Sequence, residues 1–297
     1  MDKKLKGHLF VGVSGFLFGL IIFGGQIFAN LGLSLFELST LPYLFSPIFL
    51  IPFFFQKKFW VNKKNFSLLL AYGVIEVLCT VFQFAGLIFG ASVAVVVLLL
   101  YAQPLWTTII SFLFLKEKIN RWQIVACVLV LFGVFCLVNP AELFSSKSPI
   151  GVLAALLGGV FLSLWVVFGS VASKKKIHPI SIKFYVSIIS LVILFVSLPF
   201  LSILFPSQSI SSFSLSWPLW IWGALMLYNL LAVTFGHILY FTGSKFISTA
   251  SAGILLLLEP VVAILLAVVF LAQPLTASIL LGGSLIIIGN ALVVTKG

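Results

Sequence analysis

Ten stretches of roughly twenty residues run through this chain almost without charge, near 9–29, 34–55, 66–89, 91–115, 121–138, 150–171, 180–204, 217–241, 248–271 and 275–294. A helix of that length, rising about 1.5 Å per residue, matches a bilayer core about 30 Å thick. Hydrocarbon offers the backbone no hydrogen-bond partners, so each stretch must satisfy its own amides as a helix. Charged residues make up 8% of the 297, against roughly 25% in soluble domains. That is too little charge to cover a water-facing surface, and 62% hydrophobic residues exclude a disordered chain. The expected fold is an all-α polytopic membrane protein of ten transmembrane helices.

The net charge of +11 does not mark a nucleic-acid binder, because the basic residues sit between apolar runs and form no single patch. Sixteen of the seventeen fall in alternate loops: Lys3, Lys4 and Lys6; Lys57, Lys58, Lys63 and Lys64; Lys116, Lys118 and Arg121; Lys174, Lys175, Lys176 and Lys183; Lys245; and Lys296. Only Lys147 falls in the other set. The positive-inside rule then puts both termini in the cytoplasm. The opening run reads as the first span, because a signal-peptide core is shorter and no convincing cleavage site follows. Cys79, Cys127 and Cys136 lie inside apolar runs without metal-ligand spacing, and an odd count argues against a disulfide framework.

The chain repeats itself. At an offset of 156 residues, Ser92, Leu99, Leu100, Pro104 and Gly133 recur as Ser248, Leu255, Leu256, Pro260 and Gly289. Chance explains leucine matches in so Leu-rich a chain, but it explains the Pro and Gly pairs much less well. Five spans per half is odd, so the second half enters the bilayer from the opposite side. Inverted repeats of this kind let secondary transporters expose one shared site to either face. The expected organisation is a first repeat over 1–138, an external linker over 139–149 and a second repeat over 150–297.

Gln103-Pro104 through Lys116-Glu117-Lys118-Ile119, and Leu258-Glu259-Pro260-Val261 through Gln273-Pro274-Leu275-Thr276, resemble the EamA repeat of the drug/metabolite transporter superfamily. In that family each repeat holds a Pro-containing helix, a short turn often written Gly-Glu-x-hydrophobic, and a final Gly-rich helix. Glu117 keeps the turn acid, and the second copy departs from it with Ala272-Gln273. The resemblance covers essentially the whole chain. It implies ten helices, a central cavity between the halves, and export or import of small metabolites.

Polar groups in hydrocarbon are costly, so each one needs a reason. Counted from the start of its span, Glu76 lies roughly 15 Å deep, Glu259 roughly 16 Å, and Gln103 and Asn229 roughly 18 Å. All four approach the midplane and suggest one polar layer. Glu76, Thr80 and Gln83 share a helix stripe, as do Asn229, His237 and Tyr240. Ser248 and Ser251 lie on the cytoplasmic approach to Glu259. These stripes are expected to line a pathway, with Glu76, Gln83, Gln103, Asn229, Glu259, Tyr185 and Trp165 as substrate- or proton-binding candidates. An acid at such depth also fits a purely structural, hydrogen-bonded role, and burial alone does not separate the two. Pro104 and Pro260 are the expected helix breaks, since proline removes an intrahelical donor and displaces the carbonyl four residues back. Tyr43, Trp165, Tyr185 and Tyr228 could build an aromatic wall suited to a cation. Glu37 reads as interfacial, and His237 as a solvated group at the cytoplasmic end. Gly15, Gly19, Gly86, Gly158, Gly159, Gly282 and Gly283 read as close helix packing.

The function this supports is a secondary transporter moving a small metabolite, such as an amino acid, nucleobase or amine, by alternating access. Proton coupling is one option. The alternatives are a non-transporting assembly or sensor subunit and, further off, an intramembrane serine protease built on Gly12-Val13-Ser14-Gly15 with His237 as base. No phosphate-binding loop for ATP is present, and the only aspartate is Asp2. Expected partners are a small solute and the lipid bilayer, with no nucleic acid, metal or cofactor, in a bacterial inner membrane. A homodimer is left open.

Overall fold

The computed structural model describes residues 2–138, 148–204, 213–271 and 274–296. Its helices are α1 (Lys3–Asn30), α2 (Leu35–Leu50), α3 (Lys63–Ile88), α4 (Val93–Leu100), α5 (Gln103–Leu115), α6 (Arg121–Leu137), α7 (Pro149–Lys174), α8 (Pro179–Leu204), α9 (Leu219–Tyr228), α10 (Gly236–Ser244), α11 (Thr249–Leu255), α12 (Leu258–Phe270) and α13 (Ala277–Lys296). A π-helical stretch, Asn229–Phe235, joins α9 to α10. These elements fall on the ten stretches read from the sequence. Among the described residues nine segments are long and apolar enough to cross a bilayer, and Arg121–Leu137 is a shorter tenth. Phe132, Val128, Ile287 and Ile288 are more than half exposed, as a lipid-facing surface requires.

Two spans are broken in the same way. Ser92 caps α4 by accepting from the Val95 amide, and Ser248 caps α11 by accepting from the Ser251 amide. Each short helix then stops, at Tyr101-Ala102 and at Leu256-Leu257, before α5 and α12 begin. Pro104 and Pro260 each lie in the first turn of the restarted helix, where a missing N–H costs nothing. The 156-residue offset of the sequence is therefore an offset of cap, break and proline alike.

The halves exchange their first helices. α1 packs against α10 and α12 of the second half, and α7 packs against α3, α4 and α5 of the first. The pairs α2–α8 and α6–α13 also cross between halves. Close approach makes this possible. A Cβ on Gly19 would stand 2.8 Å from the Glu259 carbonyl oxygen, and one on Gly133 would stand 2.8 Å from that of Gly282. Small residues at such crossings let backbones meet where lipid offers no hydrophobic drive.

Both chain ends lie at one end of the bundle, here called the terminal face. Gly7 abuts Phe246 and Ile247, and the Asn120 side chain donates to the Lys296 carbonyl. Glu117, Lys174 and Thr249 meet at this same face. Helix α1 leaves the terminal face while α7, ending at Lys174, arrives there, so the two halves run in opposite senses. The 139–147 part of the linker, with Lys147, and the Ala272-Gln273 turn lie outside the described residues.

One basic residue departs from the loop pattern. Lys183 is not part of a surface cluster: it lies one turn inside α8 and is 1% exposed. It therefore does not belong to the Lys174–Lys176 loop cluster with which its spacing groups it. The other fifteen keep the alternation.

Candidate functional site

A cavity of about 230 Å³ lies between the halves. It is smaller than the roughly 300–1,000 Å³ of sites for drug-sized ligands, and at about 30 Å³ per water it has room for about eight waters. Its walls run from Lys183, one turn into α8, to Leu38 and Ser39 near the start of α2 at the opposite face. Both halves contribute polar groups. The first brings Glu76, Gln83 and Gln103, and the second brings Trp165, Lys183 and Glu259.

The α3 stripe reaches the wall as a unit. Glu76, Thr80 and Gln83 all line the cavity. The Thr80 hydroxyl donates to the Glu76 carbonyl at 3.0 Å and shares a 3.0 Å hydrogen bond with the Tyr43 hydroxyl of α2. The carboxylate of Glu76 lies 3.9 Å from Lys183 Nζ, both side chains being buried. Neither Lys183 Nζ nor Glu76 Oε2 has a hydrogen-bond partner among the described residues. The ammonium also stands 5.6 Å from the centre of the Tyr43 ring, a cation–π distance.

The two helix breaks bring the other acid. Tyr101, in the break before α5, donates its hydroxyl to Glu259 Oε1 at 3.4 Å, just after the break before α12. Gln103 is buried, donates to Thr107 Oγ1, and comes within contact of Gly253 on α11. Leu256 and Leu257 of the second break line the cavity too. The breaks thus face one another across the halves.

On the terminal side the cavity ends in an aromatic layer. Trp165 stacks on Tyr240 with ring centres 5.0 Å apart and packs against Tyr72, and Tyr240 and Tyr72 are fully buried. The Tyr240 hydroxyl donates to the Val166 carbonyl at 2.6 Å. Beyond this layer the halves are latched. Glu117 accepts from the Thr249 amide and hydroxyl, each at 2.8 Å, and from Lys174 Nζ. Gln123 donates to Ser248 and Ser251 at 2.7 and 2.8 Å. The two serines therefore belong to the latch rather than to the approach to Glu259.

Several candidates lie elsewhere. Asn229 is buried, but its amide donates to the Leu225 carbonyl and it is not in the wall. The reason is the π-helical stretch it heads: the wider turn breaks the 3.6-residue arithmetic that put Asn229, His237 and Tyr240 on one stripe. Of that stripe His237 lines the cavity. It is buried, not solvated, and holds the Val233 carbonyl through Nδ1 at 2.7 Å. Tyr185 packs outside the wall against Phe54, Phe66 and Phe184. Tyr228 also lies outside it and donates to the Ile21 carbonyl. Glu37 is not interfacial but buried, accepting from the Ser34 and Ser214 amides and from Trp217 Nε1 at 2.7–2.9 Å. Ser14 Oγ has no hydrogen-bond partner among the described residues, so no nucleophile–base pair with His237 exists. Lys183 and Tyr101 were missed. The signal for Lys183 was a stripe with Ser187 and Ser190 at i+4 and i+7, which belongs to a polar face and not to a loop.

Outside the membrane, the His178 imidazole is held below its ordinary range by partial burial and then by Lys58 and Lys245. It sits edge-on to Phe59 in the α7–α8 turn.

Known proteins resemble the chain along its whole length. One relative is described as an uncharacterized transporter of Clostridium kluyveri, 26% identical over 96% of this chain and 92% of that protein. The uncharacterized transporter YoaV of Bacillus subtilis is 26% identical over 82% of this chain and 80% of its own. A crystal structure of a protein at 18% identity superposes with a TM-score of 0.75 over 95% of this chain and 94% of that one, which speaks for the fold alone. The sequence profile of the EamA-like transporter family matches twice, over residues 5–139 and 149–295. With a matching half on each side of the cavity, this integral, multi-pass membrane protein belongs to the EamA-like transporter family.

Proposed function

We propose that the chain is a secondary transporter that moves a small metabolite through the cavity by alternating access, with both termini in the cytoplasm of a bacterial cell and the cavity at the middle of the plasma membrane. One observation carries this reading. Two acids from opposite halves, Glu76 and Glu259, stand in the wall of one small cavity, each beside a helix or helix break of the other half. A rocking of one half against the other would change the access of both at once.

Glu76, Gln83, Gln103, Glu259 and Trp165 are the groups proposed to bind substrate or proton. Pro104 and Pro260 permit the breaks that set Gln103 and Glu259 in the wall. The aromatic layer and the latch close the path to the cytoplasm in this conformation. The test is flux into proteoliposomes with and without a pH gradient. Glu76→Gln and Glu259→Gln should remove flux while the purified variants keep the wild-type helix content and elution volume. Full flux of the transported solute in both variants would defeat the assignment.

A further inference from the structure

The residue least explained by packing is Lys183. Its side chain is 1% exposed, and its ammonium carries three donors of which none meets an acceptor within hydrogen-bond distance among the described residues. Taking such a charge out of water costs several kcal/mol unless it is paired and hydrogen-bonded. The pairing present is loose: Glu76 Oε1 is 3.9 Å away, and the Tyr43 ring offers its face at 5.6 Å. A lysine kept only to neutralise Glu76 would be expected to close that gap. Instead its side chain lines the cavity, while its nitrogen is sealed from solvent in this conformation with no acceptor among the described residues, so that a small anion would reach its donors once the Glu76 and Tyr43 side chains yield.

We propose that Lys183 is the receptor for a carboxylate of the transported solute, so that this cavity serves small carboxylate-bearing molecules. The proposal rests on the transport reading and names its substrate class. Charge supports it. With Glu76 and Glu259 already in the wall, Lys183 is the one lysine or arginine among the described residues that line the cavity. A solute carboxylate in this cavity has that ammonium as its charged partner, in competition with Glu76. Phe18, Leu162 and Trp165 supply the apolar surface for the rest of the molecule. An ammonium on the solute, if present, has Glu259 in the wall to receive it.

The competition yields a test that a purely structural lysine would not pass. Purified full-length protein is heated with matched sets on the alanine, leucine and phenylalanine skeletons. Each set holds the amino acid, its amide, the amine lacking the carboxyl and the acid lacking the amine. A ligand that binds the folded state raises its melting temperature. Carboxylates should raise it, and amides and amines should not. Lys183→Met should abolish the shift. Since that change strands Glu76, the double variant Lys183→Met/Glu76→Gln provides the same test with both charges removed. Glu76→Gln alone frees the ammonium, and carboxylates should then bind at least about threefold tighter even though flux is lost. Three results would overturn the proposal: carboxylates that still bind the double variant, amides or amines that bind as well as the acids, or no carboxylate binding in any set. An amine or amide that binds and is also carried into vesicles would leave the transport reading standing while removing this role for Lys183. A compound that binds through Lys183 without flux would do the reverse.

Discussion

Replacing Glu117 by alanine should open the terminal face. Glu117 lies in the turn after α5 and reaches across to cap α11, accepting the Thr249 amide and hydroxyl at 2.8 Å each and the Lys174 ammonium. Hydrogen bonds to a charged group contribute about 1.5–3 kcal/mol each. The Lys174 contact is discounted, because its side chain is 34% exposed and such pairs give about 0–1 kcal/mol. The Thr249 hydroxyl keeps Ser170 as a partner at 3.0 Å, so the amide dominates the loss. The sum is about 2–3 kcal/mol. If these contacts exist only while the halves are closed here, the closed-to-open ratio falls by roughly 30- to 150-fold, at 1.4 kcal/mol per tenfold. Cys79 is a natural reporter, since it is buried in the cavity wall. With Cys127 and Cys136 replaced by alanine, a membrane-impermeant thiol reagent applied at the terminal face should label Cys79 faster in the variant by about that ratio. An unchanged labelling rate would refute the latch as a gate.

Glu37→Ala strips one acceptor from the Ser34 amide, the Ser214 amide and Trp217 Nε1. With the return bond of the capping box lost and the part-buried Ser214 and Trp217 donors left to solvent, about 1–3 kcal/mol should go, read as a fall in melting temperature. Gly133→Val puts a side chain where Gly282 O and Ile286 Cγ1 are each 2.8 Å from the new Cβ. The α6–α13 contact should then lose about 1–3 kcal/mol, again by thermal melting, while Gly223→Ala, which meets nothing within 4 Å, serves as the neutral control. His178 has its folded pKa lowered. The folded state thus holds fewer protons than the unfolded one below the ordinary histidine value of about 6.5. Stability is fully present above that value and declines as the pH falls through it, and His178→Gln should flatten this part of the pH–melting curve.

Much of the fold was legible because lipid imposes one rule on every span: an apolar run long enough to cross must be helical. The broken spans were legible through Pro104 and Pro260, and the repeat through their common spacing. The site was only half legible. Glu76, Thr80 and Gln83 share a stripe of a regular helix, so 3.6-residue counting brought them together. The same counting failed at Asn229, where the π-helical stretch shifts the phase. Tyr185 looked like a wall residue because aromatic type says nothing of which face a helix presents. Lys183 was hidden by its distance from the helix start: a lysine one turn in resembles an interface anchor until the fold shows where its side chain goes. Glu117 resembled a turn acid, and its partner Thr249 lies too far along the chain for sequence spacing to suggest.

The central claim is that solute passes through the space between the halves. Leu162 lines that space and carries no charge to lose. In a protein with Cys79, Cys127 and Cys136 replaced, Leu162→Cys should keep flux into proteoliposomes until a bulky thiol reagent is attached, and should then lose it, with bound solute slowing the reaction. Flux that survives complete modification at this position would mean the solute takes another route.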